Sequence, residues 1–311
     1  MRFRQLACVA AVAAPIALAA QQPPATALLN ANVVNVRTGQ IQMSAVLVRD
    51  GKIAGIERAE MRGGVAVEGA TVIDVRGRYL MPGLIDAHTH IADFAAARRA
   101  LESGVTTVRS AGVSNYADVG LRELVKKGAI PGPDVLAAGY HVRPFLAPEA
   151  FLNDPALFPF MNGRVTTVDA IRQVVKTNVS HGVDWIKTTS TERAGTPDTD
   201  PRKQLYTESE VAAMVQEAGA KGIPVMAHAH GEEGALAAVK GGVRSVEHGT
   251  YLSEEALKIM KERGTTSCRR TRPSSISSSP GATTTIPACT CAVRTCCRAC
   301  ARRSSARTGS A

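Results

Sequence analysis

The chain has 311 residues, of which 45% are hydrophobic, 21% are charged and 4% are aromatic. This length and apolar content exclude a disulfide-stabilised miniprotein and a disordered chain. They allow two ordinary domains, or one large α/β barrel with an attached unit. The net charge of +10 belongs to the two ends, because residues 21–266 carry 27 basic and 27 acidic side chains. We therefore expect neither a basic face nor an aromatic platform for nucleic acid.

Residues 1–20 have the layout of a secretory signal peptide. Arg2 and Arg4 precede an apolar run that ends in the small residues Ala17 and Ala19. The run is short and rich in alanine, and no other stretch is suited to crossing a membrane. We predict export to the periplasm or the medium, with an unusual N-terminal helix as the alternative. Residues 21–266 contain no cysteine, so export places no disulfide demand on them.

The composition changes abruptly after Gly264. Residues 267–311 contain eight Arg and six Cys, but no Leu, aromatic, Asp or Glu side chain. Such a stretch cannot bury a core, and it has neither helix nor strand periodicity. We predict that residues 265–311 are an aberrant, disordered tail produced by a reading-frame change near codon 265. A zinc site formed by its cysteine pairs is the alternative, but the pairs lie too close together for a zinc-finger loop.

Between these ends, the pattern changes from β-rich to alternating. Residues 27–80 are typical of strands, with a tight turn at Asp50 and Gly51. From residue 80 onward, six strands alternate with six helices, which predicts parallel strands joined by right-handed crossovers. The strands are expected at 83–88, 104–109, 134–140, 183–187, 223–228 and 243–247, and the helices at 93–102, 116–127, 168–180, 207–221, 232–240 and 253–263. Eight such units would close a (β/α)₈ barrel.

Five of the seven histidines follow or end predicted strands, which is where barrel enzymes place their chemistry. His88 and His90 end the first strand and point the same way, because alternate residues share a face. His228 and His230 repeat this arrangement at the fifth strand, and His248 ends the sixth. Each could separately be a hydrogen-bonded structural histidine. Three sets at equivalent strand ends indicate a metal site.

Lys187 ends the fourth predicted strand. A lysine at a strand end is more often salt-bridged, or extended so that its ammonium reaches water. Among histidines and cations, a desolvated lysine would lose its proton. The neutral amine could then take up carbon dioxide and become a carbamate, which is an anionic bridging ligand for metal ions.

Four segments resemble the amidohydrolase superfamily. Residues 80–90 (LMPGLIDAHTH) are similar to its first-strand signature. Residues 182–187, 225–231 and 245–249 resemble its imidazolonepropionase-like and Xaa-Pro dipeptidase-like branch. The resemblance covers about residues 27–264. It implies a TIM-like (β/α)₈ barrel, here truncated after about six units over residues 81–264, with a small β-sandwich to which residues 21–80 contribute.

The resemblance also implies two divalent metal ions, usually Zn²⁺. His88 and His90 would hold the first ion, His228 and His248 the second, and a carboxylated Lys187 would bridge them. The remaining candidates are His230, His141, Tyr140 and Arg193 for substrate binding, and Asp86 and Glu247 for orienting the ligands. A structural role for His141 and a solvated loop position for Arg193 are the alternatives.

The family pattern requires an Asp at the end of strand eight, where it binds the first ion and serves as general acid and base. Residues 265–311 contain no Asp or Glu, so no catalytic acid or base is identified. We predict a secreted metal-dependent amidohydrolase acting on C–N amide bonds of dipeptides or N-acyl amino acids, inactive because this Asp is absent. A non-catalytic truncated remnant is the alternative, and a secreted cation- or peptide-binding module is a third. Full-length relatives are compatible with homo-oligomers.

Overall fold

The computed structural model describes residues 25–58 and 69–268, which form two compact units divided between Pro82 and Gly83. The predicted signal peptide lies outside the described residues, as does the predicted tail beyond residue 268. Within the described ranges, no helix combines the length and the apolar character that crossing a bilayer requires.

The N-terminal unit contains one five-stranded sheet. Its strands are β1 (Thr26–Val34), β2 (Ile41–Arg49), β3 (Lys52–Arg58), β4 (Thr71–Asp74) and β5 (Tyr79–Leu80). The order is β3-β2-β1-β4, with β5 also paired to β1. The predicted turn joins β2 to β3, and both Asp50 and Gly51 adopt positive φ, which suits the right-handed twist of a hairpin. The described residues of this unit make a single sheet, so the sandwich stays a prediction.

The larger unit alternates strands and helices, as the sequence predicts. Its elements are β6 (Leu84–Thr89), α1 (Phe94–Glu102), β7 (Val105–Ser110), α2 (Ala117–Lys126), β8 (Asp134–Leu136), α3 (Pro148–Asn153), α4 (Val168–Ser180), β9 (Ile186–Thr189), α5 (Glu208–Gly219), β10 (Val225–Ala229), α6 (Glu232–Lys240), β11 (Ser245–His248), α7 (Glu254–Arg263) and β12 (Thr266–Cys268). All six predicted strands and all six predicted helices are present. Helix α3 was not predicted, because its six residues are too few to show a helical period.

All strands of this unit that pair do so in parallel. Strands β6, β7 and β8 form one sheet, and β9, β10, β11 and β12 form another. Backbone contacts join the two sheets: Asp184 N–H donates to Ala137 O at 2.8 Å, and Val142 N–H donates to Lys187 O at 2.8 Å. These parallel sheets are consistent with part of a (β/α)₈ barrel, and the barrel itself stays a prediction.

Strand β12 is the main difference from the sequence-based expectation. The prediction of six strands is one short, because Thr266–Cys268 pair in parallel with β11. Residues 265–268 therefore belong to the fold, although their composition assigned them to the tail. Helix α7 ends at Arg263 and is capped by Gly264 in the left-handed conformation, after which the chain returns to the sheet. Three residues without apolar alternation give no strand pattern in the sequence.

Alternation along the buried strands separates the core from the site. Ile186, Ala227 and Val246 belong to the hydrophobic core that also contains residues of α4 to α7. Their neighbours Lys187, His228 and Glu247 occupy the opposite faces, and all three are buried as well. The core thus holds the strands in place while polar side chains project to the other side.

Candidate metal centre

A cavity of about 970 Å³, the main cavity, contains all the predicted metal-binding side chains. Its histidine and lysine lining consists of His88, His90, His141, Lys187, Lys203, His228, His230 and His248. The structure therefore brings together side chains from β6, β9, β10 and β11, together with His90, His141, Lys203 and His230 from the loops beyond the strands. Parallel strands produce this convergence because their carboxyl ends lie at one end of the sheet.

Hydrogen bonds orient the two histidines of the first predicted pair. His88 Nδ1 lies 2.7 Å from Glu247 Oε2, and His90 Nδ1 lies 2.7 Å from the carbonyl oxygen of Gly112. A carboxylate and a carbonyl can only accept, so each Nδ1 carries the proton and each Nε2 keeps its lone pair. The two rings lie 5.5 Å apart. Both histidines are thus held in the tautomer that binds a metal through Nε2.

Lys187 is 1% exposed, and its ammonium nitrogen has no hydrogen-bond partner among the described residues. Burial lowers its pKa to about 8, with Glu247 opposing the change and Arg109 adding to it. A buried amine without a partner is costly unless another group occupies the space beside it. The residue therefore fits the carbamate and metal bridge that the resemblance implies, because both would supply its missing contacts.

His228, His230 and His248 place one nitrogen each within 4.8 Å of one another. Burial is the largest cause that lowers the pKa of His228 to about 2 and that of His248 to about 3, so both rings are neutral at pH 7. Neutral imidazole is the form that coordinates a metal.

The ring planes limit which of these three histidines can share one ion. The His228 and His248 rings meet at 71°, with centroids 4.6 Å apart, whereas the His230 and His248 rings are stacked at 13°. An imidazole lone pair lies in the plane of its ring, so two stacked rings direct their lone pairs into separate planes. One ion cannot lie in both planes. The geometry thus excludes His230 and His248 as joint ligands of one ion, whereas the His228 ring meets either of them at a steep angle, 71° for His248 and 81° for His230. The choice of His248 as the partner of His228 follows from the resemblance and stays a prediction.

Arg109 is a functional residue that the sequence analysis missed. Its guanidinium donates to Glu247 Oε1 at 2.7 Å and to Ser245 Oγ at 3.1 Å, and it lies 4.6 Å from the ring centroid of Trp185. Burial alone would raise the pKa of Glu247, but Arg109 and His88 lower it to about 2. Glu247 is therefore an anion that accepts from both residues. One feature of the sequence could have identified Arg109: it is the one charged residue in the predicted strand 104–109.

The resemblance implies that Glu247 and Asp86 orient the metal ligands. Glu247 contacts the imidazole of His88, whereas Asp86 contacts no imidazole. Asp86 is exposed, and its carboxylate accepts from the backbone N–H of His88 at 3.0 Å rather than from an imidazole. The pairing of β6 with β7 is irregular between Asp86 and Thr89. The role that the resemblance implies for Asp86 therefore has no side-chain contact behind it among the described residues.

Three of the four substrate candidates, His141, Arg193 and His230, line the main cavity. Tyr140 instead borders an adjoining cavity of about 290 Å³, the side cavity. Its hydroxyl bonds to Asn115 at 3.0 Å and to Asn153 at 2.8 Å. Tyr140 therefore does not line the main cavity, and its contact with a substrate stays a prediction.

Gly112 allows two of these histidines to occupy their positions. Its φ of 96° lies in the region that favours glycine, and its carbonyl oxygen accepts from His90. A Cβ at this position would overlap the ring of His141. The close approach of His141 to the backbone therefore requires glycine.

The sequence profile of the amidohydrolase family matches residues 79–302. The chain belongs to the amidohydrolase family. Family members are hydrolases that act on carbon–nitrogen bonds, and the matched segment includes every residue placed in the main cavity. This amidohydrolase is also similar to characterised proteins over most of its length.

The ochratoxinase of Aspergillus niger is 25% identical over 286 residues, which cover 80% of this amidohydrolase and 60% of the ochratoxinase. An adenine deaminase of Desulforamulus reducens is 27% identical over 234 residues, covering 72% of this chain and 35% of that enzyme. The structure of a Xaa-Pro dipeptidase with bound methionine is 26% identical, with a TM-score of 0.67 over 78% of this chain and 65% of the dipeptidase. The chain thus spans less than two thirds of these relatives.

Proposed function

We propose that this chain derives from a metal-dependent hydrolase of C–N amide bonds in dipeptides or N-acyl amino acids. The observation that carries the proposal is the buried amine of Lys187, which has no partner among the described residues and lines a cavity with His88, His90, His228 and His248. The similarity to an ochratoxinase and to a Xaa-Pro dipeptidase with bound methionine supports this substrate class.

The residues fit two divalent ions, with Zn²⁺ as the expected metal because imidazole dominates the ligand set. His88 and His90 would hold one ion and His228 and His248 the other, with a carbamate on Lys187 as the shared anionic ligand. When bound, such ions lower the pKa of water and polarise a substrate carbonyl.

The protein's own side chains would orient these ligands. Glu247, paired with Arg109, keeps the proton of His88 on Nδ1. His230 would contact the substrate rather than an ion: the resemblance assigns the second ion to His228 and His248, and the stacked rings of His230 and His248 cannot share one ion.

No described side chain is assigned the role of general acid or base. Residues 265–311 contain no Asp or Glu that could fill the strand-eight position of the family. Loss of such a group costs roughly 10²–10⁴-fold in rate. We therefore propose that this chain is inactive, and a non-catalytic remnant is the second candidate. Residues 1–20 support the further proposal of a periplasmic or secreted location.

Metal content and hydrolysis together test the proposal. The chain and a version with the family's reading frame restored after β12 would be incubated with Zn²⁺ and bicarbonate. Both would be assayed with dipeptides, N-acyl amino acids, lactams and ureas. We expect both proteins to bind zinc and only the restored version to hydrolyse amides. Zinc binding without hydrolysis by either protein would favour the remnant. A failure of both to bind zinc would contradict the metal centre.

A further inference from the structure

Three guanidinium groups line the main cavity: those of Arg143, Arg164 and Arg193. None of the three forms an ion pair with a carboxylate within the described ranges. Lys203, which lines the same cavity, is paired with Glu192 at 2.7 Å, so the one charged carboxylate of the lining is already engaged. The wall of the cavity therefore carries an excess of positive charge.

Arg143 and Arg193 differ from Arg164 in their surroundings. The guanidinium of Arg164 lies 5.1 Å from the ring centroid of Phe145, which gives it a cation–π partner. Arg143 and Arg193 line both the main cavity and the side cavity, where His90 and His141 also lie. They therefore stand at the junction of the two cavities, beside histidines of the candidate metal centre.

The positive charges of Arg143 and Arg193 repel each other. Burial lowers the pKa of Arg143, and repulsion by Arg193 lowers it further, while Glu149 has a weaker opposing effect. Arg143 is half-buried, so water screens this repulsion only in part. An anion between the groups would relieve the repulsion and accept several charge-assisted hydrogen bonds. A carboxylate matches the planar fork of a guanidinium better than a neutral carbonyl does.

We propose that Arg143 and Arg193 form a carboxylate-binding site that selects amide substrates carrying a free carboxylate. Arg143 is the new assignment, because the sequence indicated only Arg193. For the identity of the substrate, this inference rests on the proposed amide hydrolase. The preferred substrates would be N-acyl amino acids and dipeptides that carry a free α-carboxylate. Neutral amides, lactams and ureas would leave the two guanidinium groups without an anion.

Binding of a matched pair of probes tests the site without requiring catalysis. N-acetyl-L-phenylalanine and its neutral primary amide differ in the carboxylate alone. Each would be titrated calorimetrically into the full chain at low salt, once with EDTA and once with Zn²⁺. We expect the acid to bind at least tenfold more tightly than the amide under both conditions, and 0.5 M NaCl to reduce the difference.

Substitutions then assign the preference to a residue. Arg143→Gln should bring the two affinities to within about twofold, and Arg143→Lys should keep part of the difference, because it retains charge without the fork. Arg98→Gln removes an exposed arginine paired with Glu102 on α1 and should leave the preference unchanged. Circular dichroism would verify that each variant is folded.

Equal affinities for the acid and the amide in the unaltered chain would overturn the proposal, as would undetectable binding of both. An unchanged preference in a folded Arg143→Gln protein would also overturn it. The zinc arm separates the two hypotheses. A preference for the acid in a chain that binds no zinc would support this site and contradict the metal centre. Bound zinc without a preference for the acid would support the metal centre and contradict this site.

Discussion

Glu247 and His88 are 159 positions apart in the sequence, yet Oε2 of the former lies 2.7 Å from Nδ1 of the latter. His88 belongs to β6 and Glu247 to β11, which lie in different sheets of the larger unit. Both side chains are buried. The contact therefore links the first strand of this unit to the sixth through side chains, and places a fixed anion next to the candidate metal centre.

Removal of Arg109 should destabilise the fold. Glu247 would then be a buried carboxylate without its guanidinium partner, and breaking such a pair typically costs about 3–5 kcal/mol. We expect Arg109→Met to lower the free energy of unfolding in urea by roughly this amount. Arg98→Met, which breaks the exposed pair with Glu102, should cost far less. Similar losses in the two variants would contradict a structural role for the buried pair.

Lys187→Met should separate stability from metal binding. The substitution replaces a buried amine that has no partner among the described residues with an apolar side chain of similar length, so the metal-free protein should be as stable as the original or more stable. The same variant should lose bound zinc, because no carbamate can form. Urea unfolding in EDTA and metal analysis after dialysis measure the two effects. A variant that retains its zinc would contradict the bridging role of Lys187.

Single substitutions should rank the three clustered histidines. His228→Ala and His248→Ala each remove a proposed ligand and should weaken zinc binding by more than about 100-fold, which exceeds the usual effect of an outer group. His230→Ala should weaken it by about tenfold or less, because the resemblance assigns the ion to His228 and His248, and the stacked rings of His230 and His248 cannot share it. Competition with a chromophoric chelator would give the affinities. Equal losses in all three would show that His230 is also a ligand.

Stability should decline in acid, and His248 should contribute to the decline. Its pKa is lowered to about 3 in the folded protein, so between pH 6.5 and pH 3 only the unfolded chain takes up this proton. Unfolding is then favoured as the pH falls, by up to about 1.4 kcal/mol per pH unit for one such group. His248→Gln should show a shallower dependence in EDTA between pH 6 and pH 4. Above pH 7.5 the two proteins should have equal slopes, and a difference there would point to another cause.

The features that the sequence predicts are those that depend on residue spacing within one strand or helix and on the order of these elements. The His-x-His spacing predicts that His88 and His90 share one side, and both line the main cavity, although His90 lies one residue beyond β6. The six predicted strands and helices have periods long enough to detect. Lys187, His228 and His248 converge because parallel strands end together.

The remaining features depend on contacts that a local pattern does not contain. Arg109 acquires its role from Glu247 on a distant strand, and Arg143 from its proximity to Arg193. Tyr140 has the right position in the sequence, but its hydroxyl is held by two asparagines. These contacts join residues that are distant in the sequence. The spacing of residues along the chain therefore could not separate Arg109, Arg143 and Tyr140 from ordinary surface or core positions.

The positive φ of Gly112 has a consequence for how this site can change in evolution. The same residue supplies the acceptor for His90 and the space for His141. Any side chain at this position would overlap the His141 ring and would strain the backbone that holds His90, whereas replacing either histidine adds no atom at position 112. Variation at positions 90, 112 and 141 should therefore be strongly epistatic, with Gly112 the last of the three to be replaced along any viable mutational path.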